Sequence, residues 1–372
     1  MDRKFSIDID YPEDVVYANA LLEYSKLKRG SMEISIRNRR ISNNCPAYII
    51  AEACDNHMGD TATAKEMIRQ SKLAGADCIK FQHHLPDEEM LRDIPMSDNF
   101  EEPLYDFLIK HALTLGQHIE LKAYCEELGI DYLCTPFSYK AAVEIAQIGA
   151  DAFKIGSGEM TDITSLKAIA ALGLPMIIST GMSTFDEIKR TYSVMKKTGV
   201  LFGFTYCVSE YPPNYEDMNL NFIPIMKNEF SDCIIGHSDH TPDLYTSFAA
   251  VTLGAKIIEK HIILDKRTPG PDQSVSIDMR DLALLVDGIR KIELALGNER
   301  KIHAKEQSIR EWAFRSVVST KEIPEGALIT EDMLWTKRPG TGIPSHRLPE
   351  IIGKKTRRLI PQNVLVSWDD IV

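Results

Sequence analysis

The sequence lacks the features that are typical of membrane, exported and nucleic-acid-binding proteins. In its 372 residues no apolar run approaches the length of a membrane span. The first residues, Met1 to Phe5, lead into acidic sequence without the apolar core of a signal peptide. The net charge of −11 argues against nucleic acid or an anionic membrane as the main partner, although a local basic pocket for an anionic substrate stays open. We therefore expect a cytoplasmic protein.

Closely spaced cysteine pairs are also missing. The seven cysteines form no CxxC motif, and an odd, scattered set fits reduced thiols in a cytoplasm. What the chain does contain, 44% apolar and 26% charged residues, describes a globular protein of enzyme size. Its length allows one large domain and a small one.

From Tyr48 onward, short apolar segments alternate with amphipathic helical patterns. Such strands, separated by helices, indicate a parallel sheet that is covered on both faces. Eight units over roughly 220 residues match a closed (β/α)₈ TIM barrel, class α/β, better than an open doubly wound sheet. The strands are predicted at Tyr48 to Glu52, Cys78 to Gln82, Asp131 to Phe137, Ala152 to Ser157, Pro175 to Thr180, Leu201 to Cys207, Cys233 to Ser238 and Lys256 to Ile262. Helices are predicted at Ala62 to Ala74, Gln117 to Leu128, Ile163 to Leu172 and Phe185 to Lys197, with a longer one after Arg280.

The barrel is predicted to occupy residues 44–296, between two segments of different character. Residues 1–43 form an accessory segment, with a short helix near Asp14 to Lys28 and a strand-like stretch from Met32 to Ile36. Residues 297–312 are a charged linker, and residues 313–372 form a small tail domain. The tail contains an internal echo, residues 323–332 and 360–369, which predicts two related halves. Gly326 and Asn363 take equivalent places in the echo, as a turn with positive φ requires.

Polar side chains stand where the predicted barrel strands end, and active sites of such barrels lie at the carboxyl ends of the strands. His240 and His261 follow two successive strands, so they are expected at the same end of the sheet. Two neutral imidazoles suit a transition metal such as manganese or zinc, although ordinary hydrogen-bonded histidines would give the same pattern. The other strand-end residues are Glu52, Lys80, Gln82, Thr135, Lys154, Ser157, Glu159, Ser179, Tyr211 and Ser238.

Lys80 and Lys154 each enter the barrel mouth from apolar sequence. A buried lysine must be paired, so each lysine forms either a structural salt bridge or part of an anion-binding site. In the tail, Arg338 lies in a Pro/Gly-rich loop. This loop is either a solvent-exposed turn or a means of presenting the guanidinium as a clamp for a carboxylate or hydroxyl-rich substrate.

Together these motifs resemble the sialic acid synthase family, the nonulosonic acid synthases, from about residue 46 to the end. The resemblance implies the barrel fold and an antifreeze-like (SAF) tail domain. The motifs that carry it are Ile50-Ala51-Glu52 with Asn56-His57, Gly75-Ala76-Asp77 with Lys80-Phe81-Gln82, Thr135-Pro136-Phe137-Ser138, Lys154-Ile155-Gly156-Ser157-Gly158-Glu159, Ser179-Thr180-Gly181-Met182, Ser238-Asp239-His240-Thr241, Glu259-Lys260-His261 and Pro269-Gly270-Pro271-Asp272.

The resemblance also implies roles for individual positions. His240 and His261 match metal-binding histidines, with manganese the usual ion and magnesium or cobalt as alternatives. Arg338 matches an arginine that reaches into the partner subunit's barrel, which implies a homodimer with exchanged tails. Residues matching the phosphoenolpyruvate site are Lys80, Thr135, Lys154, Ser157, Ser179 and Ser238; those on the sugar side are Glu52, Gln82, Tyr211 and Asp272.

The implied activity is N-acetylneuraminate synthesis from phosphoenolpyruvate, N-acetylmannosamine and water, with release of phosphate. Glu52 is the first candidate for proton transfer or cation stabilisation and Glu259 the second. The family often has His-Cys-Thr before its Tyr-Pro, whereas this chain has Tyr206-Cys207-Val208-Ser209-Glu210 before Tyr211-Pro212, and Asp55 also departs from the usual pattern. These departures leave the phosphoenolpyruvate and metal residues intact but put the sugar in doubt.

Three other activities remain open. A legionaminate or pseudaminate synthase would accept a 2,4-diacetamido-trideoxyhexose instead. A 3-deoxy sugar-phosphate synthase would need a second phosphate pocket, and no arginine cluster lies near the strand ends. A non-catalytic sugar-binding relic would show erosion of the metal and lysine positions, and none is found.

Overall fold

The structure is a computed structural model that describes residues 32–95, 100 and 102–372, so the helix predicted near Asp14 lies outside the described residues. The chain divides into two compact units, Met1–Leu296 and Gly297–Val372. The division at residue 296 coincides with the predicted end of the barrel domain.

The first unit contains a closed barrel of eight parallel strands, as the sequence predicted. The barrel runs in the order β10-β3-β4-β5-β6-β7-β8-β9. The strands are β3 (Tyr48–Glu52), β4 (Cys78–His83), β5 (Asp131–Pro136), β6 (Phe153–Ile155), β7 (Met176–Ser179), β8 (Phe202–Cys207), β9 (Ile234–Asp239) and β10 (Ile257–His261). Nearly all of their residues are buried, which explains why the strands read as continuous apolar runs rather than as an alternating pattern.

Helices connect the strands and cover the outside of the barrel. Those predicted from sequence are found at Thr61–Ala74, Leu115–Leu128, Ile163–Ala170, Phe185–Thr198 and Met279–Ala295. Shorter helices that were not predicted lie at Pro86–Glu89, Leu104–His111, Tyr139–Gln147, Phe222–Glu229 and Tyr245–Thr252. Two of the predicted helices begin with a complete capping box, built on Thr114 and on Thr184, which fixes where each starts.

A short antiparallel hairpin precedes the barrel, formed by β1 (Ile34–Ile36) and β2 (Arg39–Ile41). Its isoleucines belong to the same apolar cluster as barrel residues such as Cys78, Ile234 and Ile257. These barrel residues lie toward the amino-terminal ends of their strands, so the hairpin closes the end of the barrel opposite the predicted active site. Part of the segment predicted to be accessory is therefore packed into the barrel core.

The second unit is built around its own small core. It contains the helix Ala304–Ala313, which begins inside the predicted linker, and the antiparallel pair β11 (Ser316–Ser319) and β12 (Leu334–Lys337). The predicted echo is confirmed, because its two halves pair at Ile323 and Ile360, and Gly326 and Asn363 both have positive φ, 77° and 61°. No helix among the described residues is long and apolar enough to cross a membrane.

Candidate active site

Side chains that point into the barrel change from apolar to polar along the strands. Because alternate residues of a strand share a face, Ile50 is followed on the inner face by Glu52, and Ile257 by Glu259 and then His261. The polar set lines one cavity of about 430 Å³ at the carboxyl ends of the strands. The predicted site residues that it brings together are Glu52, Lys80, Gln82, Thr135, Lys154, Ser157, Ser179, Tyr211, Ser238, His240, Glu259, His261 and Asp272.

Two lysines and two glutamates form a buried ionic cluster in this cavity. The ammonium of Lys80 lies 3.1 Å from Glu52 Oε2 and 3.1 Å from Glu259 Oε1. The ammonium of Lys154 lies 2.9 Å from both carboxylate oxygens of Glu259. Register explains this arrangement, because Glu52 pairs with Lys80 on the adjacent strand. Both lysines are paired in this state, so pairing alone does not separate a structural from an anion-binding role.

The two glutamates experience opposite electrostatic environments. Burial raises the pKa of Glu52 to about 7, with Lys80 opposing the shift and Glu259 adding to it. Burial also acts on Glu259, but Lys154 and Lys80 outweigh it and hold the pKa of that carboxyl well below its usual range. One carboxyl group thus stays ionised while the other can hold or release a proton near neutral pH, a separation typical of acid–base sites.

Hydroxyl groups surround the ionic cluster. Ser179 Oγ accepts a hydrogen bond from Lys154 Nζ at 2.8 Å, and Ser238 Oγ donates to Glu259 Oε1 at 2.7 Å. Thr135 Oγ1 is buried without a partner among the described residues, and Ser157 Oγ accepts from the backbone N–H of Gly181. The unpartnered threonine hydroxyl is therefore available to a bound ligand.

His240 and His261 stand together on the other side of the cavity. Their ring centroids are 5.2 Å apart, and Tyr211 stacks on His240 at 4.3 Å. Nδ1 of His240 lies 2.8 Å from the carbonyl oxygen of Val208, which can only accept, so this nitrogen carries a proton and Nε2 is the ring atom that can bind a metal. Nδ1 of His261 is buried without a partner among the described residues. Two imidazoles in this state fit a divalent transition metal.

Other residues of the cavity were not predicted from sequence. Cys54 and Asp55 follow the end of β3, and His84 stacks on Phe137 with ring centroids 4.3 Å apart. Glu89, on a helix that was also missed, lies 2.9 Å from His84 Nδ1. Cys54 and Asp55 could have been found by extending the strand-end rule two or three residues into the loop after β3.

Arg338, the remaining predicted site residue, lies in the second unit and does not line the cavity. It is exposed, its Nε donates to the carbonyl oxygen of Ala313 at 3.1 Å, and its guanidinium stacks over Trp312 at 5.2 Å. Its predicted role in a partner's site therefore stays a prediction.

The fold and the cavity define the class: a (β/α)₈-barrel enzyme whose polar site lies at the carboxyl ends of the strands. Comparison with known proteins then identifies the family. Residues 67–301 match the NeuB family and residues 314–372 match the SAF domain. The chain belongs to the NeuB family, which confirms the resemblance to sialic acid synthases and the expectation of a synthase-type enzyme.

The chain is similar to family members with different names. It is 36% identical to human N-acetylneuraminate-9-phosphate synthase over 90% of this chain and 93% of the relative. It is 35% identical to the N,N'-diacetyllegionaminic acid synthase of Campylobacter jejuni over 86% of this chain and 98% of the relative. A crystal structure of N-acetylneuraminic acid synthetase from Leptospira borgpetersenii aligns with a TM-score of 0.69 at 33% identity, over 75% of this chain and 95% of that chain. Such similar identities leave the acceptor sugar open.

Proposed function

We propose that this enzyme condenses phosphoenolpyruvate with an N-acyl hexose and water, giving a nine-carbon 2-keto acid and phosphate, and that the hexose is N-acetylmannosamine. The product is then N-acetylneuraminate. The observation that carries the proposal is the pair of buried ammonium groups, Lys80 and Lys154, held on either side of Glu259 at the floor of the cavity.

Phosphoenolpyruvate suits these groups because it carries several negative charges in a small volume. Two lysines fixed by Glu259, with hydroxyls at Thr135, Ser179 and Ser238, can orient its carboxylate and phosphate without moving during the reaction. When Glu52 is protonated, the cluster of two lysines and two glutamates has a net positive charge, which favours binding of an anion.

The reaction follows from the electron-rich enol of phosphoenolpyruvate. Carbon 3 attacks the aldehyde carbon of the open-chain sugar, and cationic character develops at carbon 2. Water adds at carbon 2, and the tetrahedral intermediate loses phosphate by carbon–oxygen cleavage. Glu52, with its pKa raised to about 7, can accept a proton from the attacking water and stabilise the cation while it is ionised.

The metal expected here would be held by His240 and His261. We propose manganese, with magnesium or cobalt as alternatives. When bound, a divalent ion supplies Lewis acidity toward the aldehyde oxygen of the sugar. The hydrogen bond to the carbonyl oxygen of Val208 and the packing against Tyr211 fix the orientation of the His240 imidazole.

An acceptor without phosphate fits the cavity better than a sugar phosphate. Three carbons come from phosphoenolpyruvate, so a 9-phosphate product requires a hexose 6-phosphate. Among the described residues that line the cavity there is no arginine, and its lysines are already engaged with Glu52 and Glu259. A second phosphate group would therefore find no guanidinium in this chain's own described lining, and an exchanged tail would bring one arginine, Arg338, rather than a cluster.

Phosphate release from phosphoenolpyruvate, measured with purified, manganese-loaded protein, tests the acceptor. Parallel reactions contain N-acetylmannosamine, its 6-phosphate, or a 2,4-diacetamido-2,4,6-trideoxyhexose. We expect the highest kcat/KM with N-acetylmannosamine. Release with a trideoxy sugar alone would assign legionaminate or pseudaminate synthesis instead, and release with the 6-phosphate alone would contradict the argument from the cavity lining.

A further inference from the structure

Cys54 lies in the cavity next to residues on its metal and sugar sides. It stands two residues beyond the end of β3, with a φ of 45°, and its side chain is buried. Its Sγ is 2.6 Å from Oδ2 of Asp272. One ligand atom from each of Cys54, His261 and Asp272 lies within 4.8 Å of the other two. Ligands at about 2.0–2.3 Å from one ion are at most about 4.6 Å apart, so these three need little movement to converge on one metal.

The state of His261 gives an independent indication of a ligand. Its Nδ1 is buried and has no partner among the described residues, although a buried polar atom is normally hydrogen-bonded. An imidazole nitrogen without a hydrogen-bond partner is free to bind a metal.

A chain of hydrogen bonds orients a donor toward the sulfur of Cys54. Glu89 Oε1 lies 2.9 Å from His84 Nδ1, and His84 Nε2 lies 2.9 Å from Gln82 Oε1. The Gln82 amide oxygen accepts from His84, so its Nε2 is the donor to Cys54 Sγ at 3.0 Å and to Glu52 Oε1 at 3.0 Å. An N–H group directed at sulfur stabilises a thiolate, and such outer partners typically accompany metal ligands.

We propose that Cys54 is a metal ligand, and that its thiolate joins His261 and Asp272 in holding one divalent transition metal beside His240. The proposal deepens the proposed function and rests on it for the reaction that the metal serves. When the ion binds, the thiol proton leaves to solvent and a metal–sulfur bond forms. With this thiolate included, the ligand set favours zinc, cobalt or iron over magnesium, and also over the manganese that we proposed from the two histidines alone.

The competing explanation is a simple hydrogen bond from the Cys54 thiol to the Asp272 carboxylate, without metal. Cobalt titration of the metal-free protein distinguishes the two, because a thiolate ligand gives a sulfur-to-cobalt charge-transfer band in the near ultraviolet. The variants are Cys54→Ser and Cys54→Ala, with Cys207→Ser as the matched control, since Cys207 lines the same cavity. Equilibrium dialysis with zinc and with manganese gives the affinities, and circular dichroism checks the fold of each metal-free variant.

We expect the band in the wild type and in Cys207→Ser, and no band in either Cys54 variant. Loss of an outer-shell partner typically lowers metal affinity about 10–100-fold. Zinc affinity should fall by more than this in the Cys54 variants, and their preference for zinc over manganese should be smaller than that of the wild type. A wild type without the band, or a band that persists without Cys54, would overturn the proposal. If the Cys54 variants fail to fold, Cys207→Ser decides, because a band that persists without Cys207 leaves Cys54 as the thiol among the described residues that line the cavity. Phosphate release is assayed separately. If the wild type releases phosphate but shows no thiolate band, Cys54 is not a metal ligand and the proposed function still holds.

Discussion

At the scale of single residues, the site depends on two glutamates that share a cluster but differ in protonation. Glu259 contacts both lysines and Ser238, whereas the polar contacts of Glu52 with the described residues are limited to Lys80 and the Gln82 amide. The more heavily paired carboxyl group stays ionised and holds the ammonium groups in place. Glu52, with fewer partners and full burial, keeps a proton up to about neutral pH.

Exchange of Glu52 for Gln should lower kcat by about 10²–10⁴, because the side chain keeps its size but no longer accepts a proton. The limb near pH 7 in the pH profile of kcat/KM should disappear, since it reports the pKa of Glu52. Steady-state kinetics from pH 5 to 9 measure both effects. Wild-type turnover in Glu52→Gln would remove this residue from the mechanism.

The same pKa predicts how stability changes with pH. Glu52 titrates near 7 when folded, against an ordinary value of 4.5, so the folded chain holds a proton that the unfolded chain has released. Its contribution therefore reduces the free energy of unfolding as pH rises from about 4.5 to about 7. Urea unfolding at several pH values should show this decline in the wild type and a smaller one in Glu52→Gln; parallel curves would contradict the assignment.

Exchange of Glu259 for Gln should reduce the free energy of unfolding more than exchange of Glu52 for Gln. It leaves two buried ammonium groups without their shared carboxylate, and breaking a buried pair in this way costs about 3–5 kcal/mol. Urea denaturation of the two variants at pH 7 makes the comparison. The account is wrong on this point if Glu259→Gln is no less stable than Glu52→Gln.

Sequence reasoning found most of the site because of one geometric rule. Strand ends of a parallel barrel meet at one mouth, so Lys80, Lys154 and Glu52 could be placed together without knowing their contacts. The rule could not show that Glu259 bridges both lysines, since that depends on barrel closure. It also missed Cys54, which lies beyond the strand end, where the path of the loop decides the position of the sulfur.

At the scale of elements, the hairpin of β1 and β2 was the least readable part of the first unit. Its strands are only three residues long, and sequence gave no partner for their apolar side chains. The structure supplies one, because Ile34, Ile36 and Ile41 are completely buried in the cluster at the amino-terminal end of the barrel.

Exchange of Ile36 for Ala should therefore reduce the free energy of unfolding by about 2–5 kcal/mol, as expected for a fully buried isoleucine. Activity per folded molecule should stay unchanged, because the cluster lies at the end of the barrel opposite the cavity. Urea denaturation measures the change, and Ser35→Ala, at an exposed position of the same strand, is the control. Equal stability of the two variants would show that the hairpin does not support the barrel.

Strands were predicted more accurately than helices for a physical reason. A buried parallel strand has apolar residues on both faces, so β3 reads as an apolar run up to Glu52 and β7 as one up to Ser179. Short helices such as Phe222–Glu229 and Tyr245–Thr252 offer about two turns, too few for a helical period to emerge from sequence.

At the scale of the whole molecule, the homodimer with exchanged tails that the resemblance implies would give Arg338 a role in binding substrate. The structure describes the two units separately, and the arginine is exposed in the second. If it binds substrate in a partner's barrel, a charge-assisted contact worth about 1.5–3 kcal/mol is lost in Arg338→Ala, which is about 10–100-fold in kcat/KM. Arg347→Ala, in the same unit and paired with Glu350, is the control and should leave kcat/KM unchanged.

Mixing two variants of reduced activity tests the exchange itself. In a heterodimer of Arg338→Ala and Glu52→Gln, one barrel has both an intact Glu52 and an intact arginine from the partner. Random reassociation of equal amounts should restore about a quarter of wild-type activity. If activity does not recover in a mixture shown to contain heterodimers, Arg338 acts in the barrel of its own chain or in neither barrel.

The most direct test of the proposed reaction follows the bridging oxygen of phosphoenolpyruvate. Metal-loaded enzyme is incubated with N-acetylmannosamine and phosphoenolpyruvate that carries ¹⁸O between carbon 2 and phosphorus, and both products are analysed by mass spectrometry. The account predicts equal amounts of phosphate and a nine-carbon 2-keto acid, formed only when the sugar is present, with the ¹⁸O in the phosphate. Phosphate released without the sugar, or unlabelled phosphate, would contradict carbon–oxygen cleavage and with it the proposed condensation.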